Sequence, residues 1–329
     1  MTLMSCQKTY LLTLEGKDEH RIEMFCATGT IDSTAIIIEA VAGINGQPLP
    51  DAGDAEIVFK VNGQEQDIEF REQSIKSSDF KDMDRYYVMS RRLQPGDNVS
   101  IDIRLEGAAP IHAQTIVPPA PEVPEVLYDE KKNRITQISY SERDPDACFG
   151  LIILSRHESW SSELINGEWT DSDPHIIWNS TYGLGNDTDI MLVFNDEEYP
   201  KRIRTGIGDM CFWRNDMISE DENGRKIMDL DVGPAMGNWE IVGEDFIKYG
   251  REYLVIYFYR LSEELFTFYD IATYINEDVL GDMGLSPVHY SYTNVKGGFG
   301  VLGGISGISR KSMCLSIDLC KSEQKVFNI

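Results

Sequence analysis

The stretch IVPPAPEVPEV, Ile116 to Val126, is the one on which the fold turns. Its prolines at 118, 119, 121 and 124 fix φ and remove backbone donors, which excludes helix and central strand and favours a stiff extended connector. A chain of 329 residues is long enough to bury a core on each side of such a connector. The expected organisation is a signal remnant and tether over 1–20, a first domain over 21–118, a proline-rich linker over 119–126, and a larger second domain over 127–329.

Working back from the prolines, the pattern is β. TAIIIEAVA (Thr34 to Ala42) and AEIVFKVNG (Ala55 to Gly63) are rich in branched residues, and Ile57, Phe59 and Val61 form one apolar face of the second. RYYVMSRRLQPGDNVSIDIRLEG reads as strand, turn, strand, with the turn at Pro95-Gly96-Asp97 and an alternating face of Val99, Ile101, Ile103 and Leu105. HAQTIVP closes the series. Short turn-bounded strands over about a hundred residues predict an immunoglobulin-like β-sandwich.

Forward from the prolines, RITQISY, CFGLIILSRH, DIMLVFN and GDMCFWRN are strand candidates, and Asn166-Gly167 is a hairpin turn signal. REYLVIYFYRLS is apolar on both faces, as a covered central strand must be. One helix is expected near 262–276: Ser262 caps it, Glu263 and Glu264 suit its positive end, and Leu265, Phe268, Tyr269, Ala272 and Ile275 make one apolar stripe for packing on a sheet. A last strand, SMCLSIDLC, is expected near the C-terminus. The fold class predicted is mainly β, in two domains: an N-terminal immunoglobulin-like sandwich and a larger C-terminal β-rich domain with one packing helix.

Charge narrows the partners. Thirty basic against 55 acidic residues leave a net −25, which repels phosphate backbones and, without an anchor, anionic lipid. Nucleic acid is therefore not an expected partner. No run approaches the about 18 apolar residues of a membrane span. The cysteines, at 6, 26, 148, 211, 314 and 320, form no C-x-x-C pair, and free buried thiols are expected.

Motifs that carry chemistry are absent or fail on spacing. NVKGGFGVLGGISG lacks the Lys-Ser/Thr of a phosphate loop, and its glycines instead suit bulges and close backbone approach in a twisted β segment. SEDENGRKIMDL places Leu230 where a calcium loop needs a bidentate Glu, so a solvated acidic hairpin tip is preferred to a looser calcium site at Asp216, Glu220, Asp221 and Glu222. No serine-hydrolase elbow or zinc-protease motif occurs. No catalytic residue, metal or cofactor is assigned. Trp160, Trp169 and Trp178 fall in one loop-rich stretch beside Asn, Asp and Ser, a composition suited to stacking on a glycan or peptide; core packing competes for at least two of them.

At the start, Leu3-Met4-Ser5-Cys6 fits the tail of a lipoprotein signal, an apolar residue three before the cysteine and a small one just before it. The five preceding residues hold no basic or apolar signal region, so either the precursor begins upstream or Cys6 is an ordinary cytosolic thiol near a frayed terminus, and the tetrapeptide alone leaves both readings open. The early cysteine, DAGDAEIVF, LQPGDNVSIDIRLEG leading to HAQTIVPPAPEV, YRLSEELFTFYDIATYIN, and SPVHYSYTNVKGGFGVLGG recur in this order almost end to end. Together they resemble a Bacteroidetes family of predicted outer-membrane lipoproteins catalogued as domain of unknown function 4249. Asn294, Gly297, Gly298, Gly300 and Gly303 sit as in that family's closing signature.

The resemblance implies export, lipid attachment at Cys6, residence at the outer membrane or cell surface, and the company of a TonB-dependent uptake system. It lends no catalytic residues. The expectation is a lipid-anchored, non-enzymatic accessory that captures a glycan or peptide ligand for an outer-membrane transporter or docks onto it. The alternatives are a surface glycan-active hydrolase and a purely structural surface protein.

Overall fold

Alternation of apolar and polar residues, with turns between, makes this chain mainly β. A computed structural model describes residues 21–30, 34–41, 51–74, 83–166, 168–172, 175–181, 201–204, 209–232, 236–242, 246–277 and 292–311. Cys6, the strand candidate DIMLVFN (Asp189 to Asn195) and the closing strand with Cys314 and Cys320 lie outside these residues.

Before the prolines come β1 (Arg21–Gly29), β2 (Thr34–Val41), β3 (Glu56–Val61), β4 (Gln64–Gln66), β5 (Glu69–Ser74), β6 (Met83–Met89), β7 (Asn98–Arg104) and β8 (Ile111–Ile116). After them come β9 (Glu125–Asp129), β10 (Arg134–Tyr140), β11 (Cys148–Ile165), β12 (Glu168–Asp171), β13 (His175–Thr181), β14 (Lys201–Arg204) and β15 (Asp209–Arg214). The chain continues through β16 (Lys226–Val232), β17 (Met236–Val242), β18 (Phe246–Leu261), the helix α1 (Glu263–Glu277) and β19 (Phe299–Lys311).

Among the described residues the largest sheet has twelve strands and runs β14-β15-β11-β18-β19-β1-β2-β6-β5, with β12 and β13 on β11 and β17 on β18. This sheet carries strands from both sides of the proline segment. The join is β1 on β19, a parallel pairing from Glu23–Phe299 to Gly29–Ile305. A four-stranded sheet, β4-β3-β7-β8, and a three-stranded sheet, β16-β10-β9, complete the architecture.

Three cores hold these layers. Alternate residues of β1 (Ile22, Met24, Cys26) meet Phe59, Val99, Ile101 and Ile103 of the four-stranded sheet, and Leu302 of β19 joins them. Leu254, Ile256 and Phe258 of β18 and Leu151 and Ile153 of β11 pack against Ile135, Ile138 and Met228 of the three-stranded sheet. On their other face, Tyr253, Val255, Tyr257 and Tyr259 lie in the core that contains Leu265, Phe266 and Tyr269 of α1. β18 is thus covered on both sides at its inner end, as its unbroken apolar run requires.

The helix begins where its cap places it, the Ser262 hydroxyl accepting from Leu265 N at 3.3 Å and from Gly304 N at 3.0 Å. Its buried stripe is Leu265, Phe266, Tyr269 and Thr273, with Phe268 half-buried against the same core; Phe266 and Thr273 stand outside the expected stripe, Ala272 is half-exposed, and the side chain of Ile275 lies outside the described residues. No helix among the described residues is long and apolar enough to cross a membrane.

Candidate functional site

β11 and β18 are long. At about 3.3 Å per residue, the 18 residues of β11 extend about 60 Å. They pair from Cys148–Leu261 to Glu163–Phe246, and among the described residues only the inner part of that ribbon is covered by helix and small sheet. Outward from Ser155–Leu254 it continues as an arm, widened by β13 and β12 beside β11 and by β17 beside β18.

Directly paired residues share a face, so the register lays out what each face presents. On the face that carries the helix lower down, the first row beyond the core is ionic. Glu158 accepts from Arg251 Nε at 2.7 Å and from the Tyr253 hydroxyl. Burial and the Glu158 carboxylate push the Tyr253 phenol upward, so it stays a donor. The next row is Trp160 stacked on Tyr249, centroids 5.5 Å apart, with the Arg251 guanidinium 5.6 Å from the indole. Beyond these, Ile247 pairs with Val242, and Leu164 with Trp169.

Glu158 neutralises Arg251, and outward from that pair the face is apolar and aromatic except for Glu240, which pairs with Tyr249 and is exposed. Trp169 is 51% exposed and Val242 68%. The opposite face adds Ile165, Ile241 and Phe246, all exposed. The exposed charges at this end are mostly acidic: Glu240 on the aromatic face, and Glu163 and Glu168 against Lys248 on the opposite one.

The arm brings two of the three predicted tryptophans together, Trp160 and Trp169 lying two rows apart on one face. Trp178 sits in β13 opposite His157, and its side chain is outside the described residues. Sequence reasoning missed Tyr249, Val242 and Ile247; the alternation in FIKYGREY was the available signal, but only the register joins it to Trp160.

The underside of the same rows is polar. Ser155 Oγ donates to Glu252 Oε1 at 2.5 Å, and His157 Nε2 lies 2.9 Å from that oxygen. The serine is thus bonded to the carboxylate and not to the imidazole, which is not the order of a nucleophile activated by a base. Glu158 and Glu252, adjacent in the ribbon, point to opposite faces and share no cleft.

The closing glycine segment is a packing device. Asn294 mimics a strand neighbour of Leu302, its amide nitrogen donating to Leu302 O at 2.8 Å and its Oδ1 accepting from Leu302 N at 3.0 Å. Gly297 and Gly300 have φ of +85° and +98°, and a Cβ on Gly300 would stand 1.9 Å from Met24 O. A Cβ on Gly298 would meet Ile22 O at 2.3 Å, and one on Gly303 would meet Leu265 Cβ at 2.5 Å.

In the acidic hairpin, Asp221 Oδ1 accepts from Asn223 N and Arg225 N, both at 2.8 Å, and Glu220 pairs with Lys226 at 2.8 Å. These carboxylates hold the turn together. No group of three or more His, Cys, Asp or Glu side chains among the described residues is arranged to hold a metal ion.

No curated protein matches the chain. A family model described as "Domain of unknown function (DUF4249)" matches residues 21–311, nearly all of the chain described above, and the chain belongs to that family.

Proposed function

We propose that this protein is a lipid-anchored accessory of an outer-membrane, TonB-dependent uptake system, docking on the transporter through the end of its β-arm. The observation that carries this reading is the apolar, aromatic face of Trp160, Tyr249, Leu164, Trp169, Ile247 and Val242 on a projecting four-stranded ribbon. Exposed apolar surface gathered at one place marks an interaction site more than scattered exposed residues do. The carboxylates around it disfavour insertion between anionic headgroups and suit a protein with basic residues about an apolar seat. Acyl chains on Cys6 would keep the arm at the membrane surface, and two or more buried chains make such an anchor stable.

The test uses the precursor with its native start, expressed in its own host. It should take up labelled palmitate and, after detergent extraction, carry the transporter with it. Trp169→Ala combined with Val242→Asp should cut the transporter recovered by about thirtyfold, the scale of losing one central aromatic anchor worth about 2 kcal/mol. A soluble, unlabelled precursor removes the anchor from the proposal; undiminished recovery with the double variant removes the arm.

A further inference from the structure

Away from the arm, the outer face of the four-stranded sheet is hollowed beside residues 296 and 297 into a groove of about 590 Å³, within the range of small-molecule sites. Pairing in the sheet sets out its floor. Glu56 lies opposite Arg104, Val58 opposite Asp102, and Asp102 opposite His112. His112 is bridged in turn to Lys296. Lys60 lines the groove from the next outward position on β3.

The charges in this groove are unbalanced. Asp102 is occupied by His112, Nδ1 to Oδ1 2.8 Å. Lys60, Arg104 and Lys296 make no ion pair among the described residues, and Glu56 is the one other carboxylate lining the groove. Three cations against two carboxylates leave this concavity with an excess of positive charge, against the background of a chain with 55 acidic and 30 basic residues. A cationic hollow with low-dielectric walls focuses the field on its own interior, so the species it favours is an anion.

The groove is also stiff. Lys296 O accepts from His112 N at 3.0 Å, and Lys296 N donates to His112 O at 2.8 Å. The next residue, Gly297, brings the backbone so close to Pro110 that a Cβ would stand 2.4 Å from Pro110 O. Lys296 is thereby presented from a fixed backbone, which lowers the ordering cost of binding. The groove is too small, and the surrounding chain too acidic, for a phosphate polymer.

We propose that this groove binds a small molecule carrying two or more oxyanion groups, held by Lys60, Arg104 and Lys296, with His112 as a hydrogen-bonding partner. The site is independent of the arm and of the docking assigned to it. Carboxylate and phosphate share the required chemistry, and two probes separate them. The full chain is titrated by calorimetry with citrate and with inorganic pyrophosphate at low ionic strength. At least one probe should bind saturably at a single site and weaken as salt is raised. Lys60→Gln, Arg104→Gln and Lys296→Gln should each weaken it about three- to tenfold, the scale of a partly exposed charge contact. Val242→Asp on the arm should leave it unchanged. These substitutions are at solvent-facing positions, and an unchanged melting temperature confirms that folding is intact. Absence of saturable binding of both probes up to about 10 mM, a level below which even weak specific sites fill, overturns the proposal. So does binding that the three variants leave unaltered.

Discussion

The glycine segment permits a test in which two physical costs are separated and then summed. Gly96 has φ +87° with nothing within 4 Å of the place a Cβ would take, so Gly96→Ala meets only backbone strain, about 1–2 kcal/mol. Gly303 has no positive φ, but a Cβ there would stand 2.5 Å from Leu265 Cβ, so Gly303→Ala meets only overpacking against α1, about 1–3 kcal/mol. Gly300 combines the two, with φ +98° and a backbone oxygen, Met24 O, 1.9 Å from the Cβ position. Met24 is its register partner in β1, so that oxygen cannot move without disturbing the β1–β19 pairing. Gly300→Ala should therefore lose about 2–5 kcal/mol, near the sum of the other two. Equilibrium urea unfolding followed by tryptophan fluorescence reads this as a fall in midpoint at constant slope. If Gly300→Ala unfolds within about 0.5 kcal/mol of Gly96→Ala, the resolution at which separate sites add, close approach of β19 to β1 is not what excludes a side chain there.

Three further outcomes are expected. Burial pushes the Cys148 thiol up to about 12 and the Cys26 thiol higher still, and Cys211 is fully buried, so iodoacetamide at pH 8 should spare all three in the native protein and modify them in guanidinium; a peptide map with native Cys148 alkylated would refute this. Backbone N–H groups of Arg225 and Asn223 hold the Asp221 carboxyl below its ordinary value, so the turn is stabilised above the unfolded carboxyl range and loosens only as pH falls through the lower folded value. The amide shifts of Asn223 and Arg225 should titrate with a midpoint under 3.8, and a midpoint at or above it would contradict the assignment. A fragment of residues 21–118 should lack a cooperative transition, because it exposes the β1 edge that β19 covers and lacks Val295 and Leu302 of its core; cooperative unfolding of the fragment alone would sink this.

Local chemistry was legible wherever a residue's role is decided by its neighbours in sequence. Ser262 followed by two acids announces a helix start, Pro95-Gly96 a turn, and the unbroken YLVIYFY a strand covered on both sides. The prolines themselves, at 118, 119, 121 and 124, fall between β8, which stops at Ile116, and β9, which starts at Glu125, although the stretch read as connector runs on into β9 as far as Val126. What it could not disclose is whether the sheet closes across it. That depends on residues 23–29 meeting 299–305, a contact with no local signature, although Ile22, Met24 and Cys26 alternate with Arg21 and Glu23 clearly enough to mark β1 itself. The same limit applies to the arm. The tryptophans were visible as a cluster in sequence, but only the pairing Trp160–Tyr249 and Leu164–Trp169 tells which side chains stand on one face. The groove was less visible still. Lys60, Arg104 and Lys296 come from three distant segments, and each alone reads as an ordinary surface cation.

β19 explains why both surfaces can be firm although they lie on different sheets. Its first half pairs with β1, and the residues just before it fix Lys296 against β8, so the groove inherits its geometry from the sheet it borders. Its second half, Ile305 to Lys311, pairs with the inner part of β18, whose outer part is the spine of the arm. β19 thus ties β1 to β18 in one continuous sheet, with Ile305 paired to both, and a sheet of several strands is firmer than an isolated hairpin, which is marginal by itself. Gly303 and Gly304 lie at the middle of β19, one against Leu265 of the helix and the other against Ile116 O of β8. Absence of side chains there lets three layers approach a single strand. The glycine segment is thus placed where the groove, the helix and the root of the arm are held in common, and its physical requirement is closeness of backbone rather than any chemistry of its own.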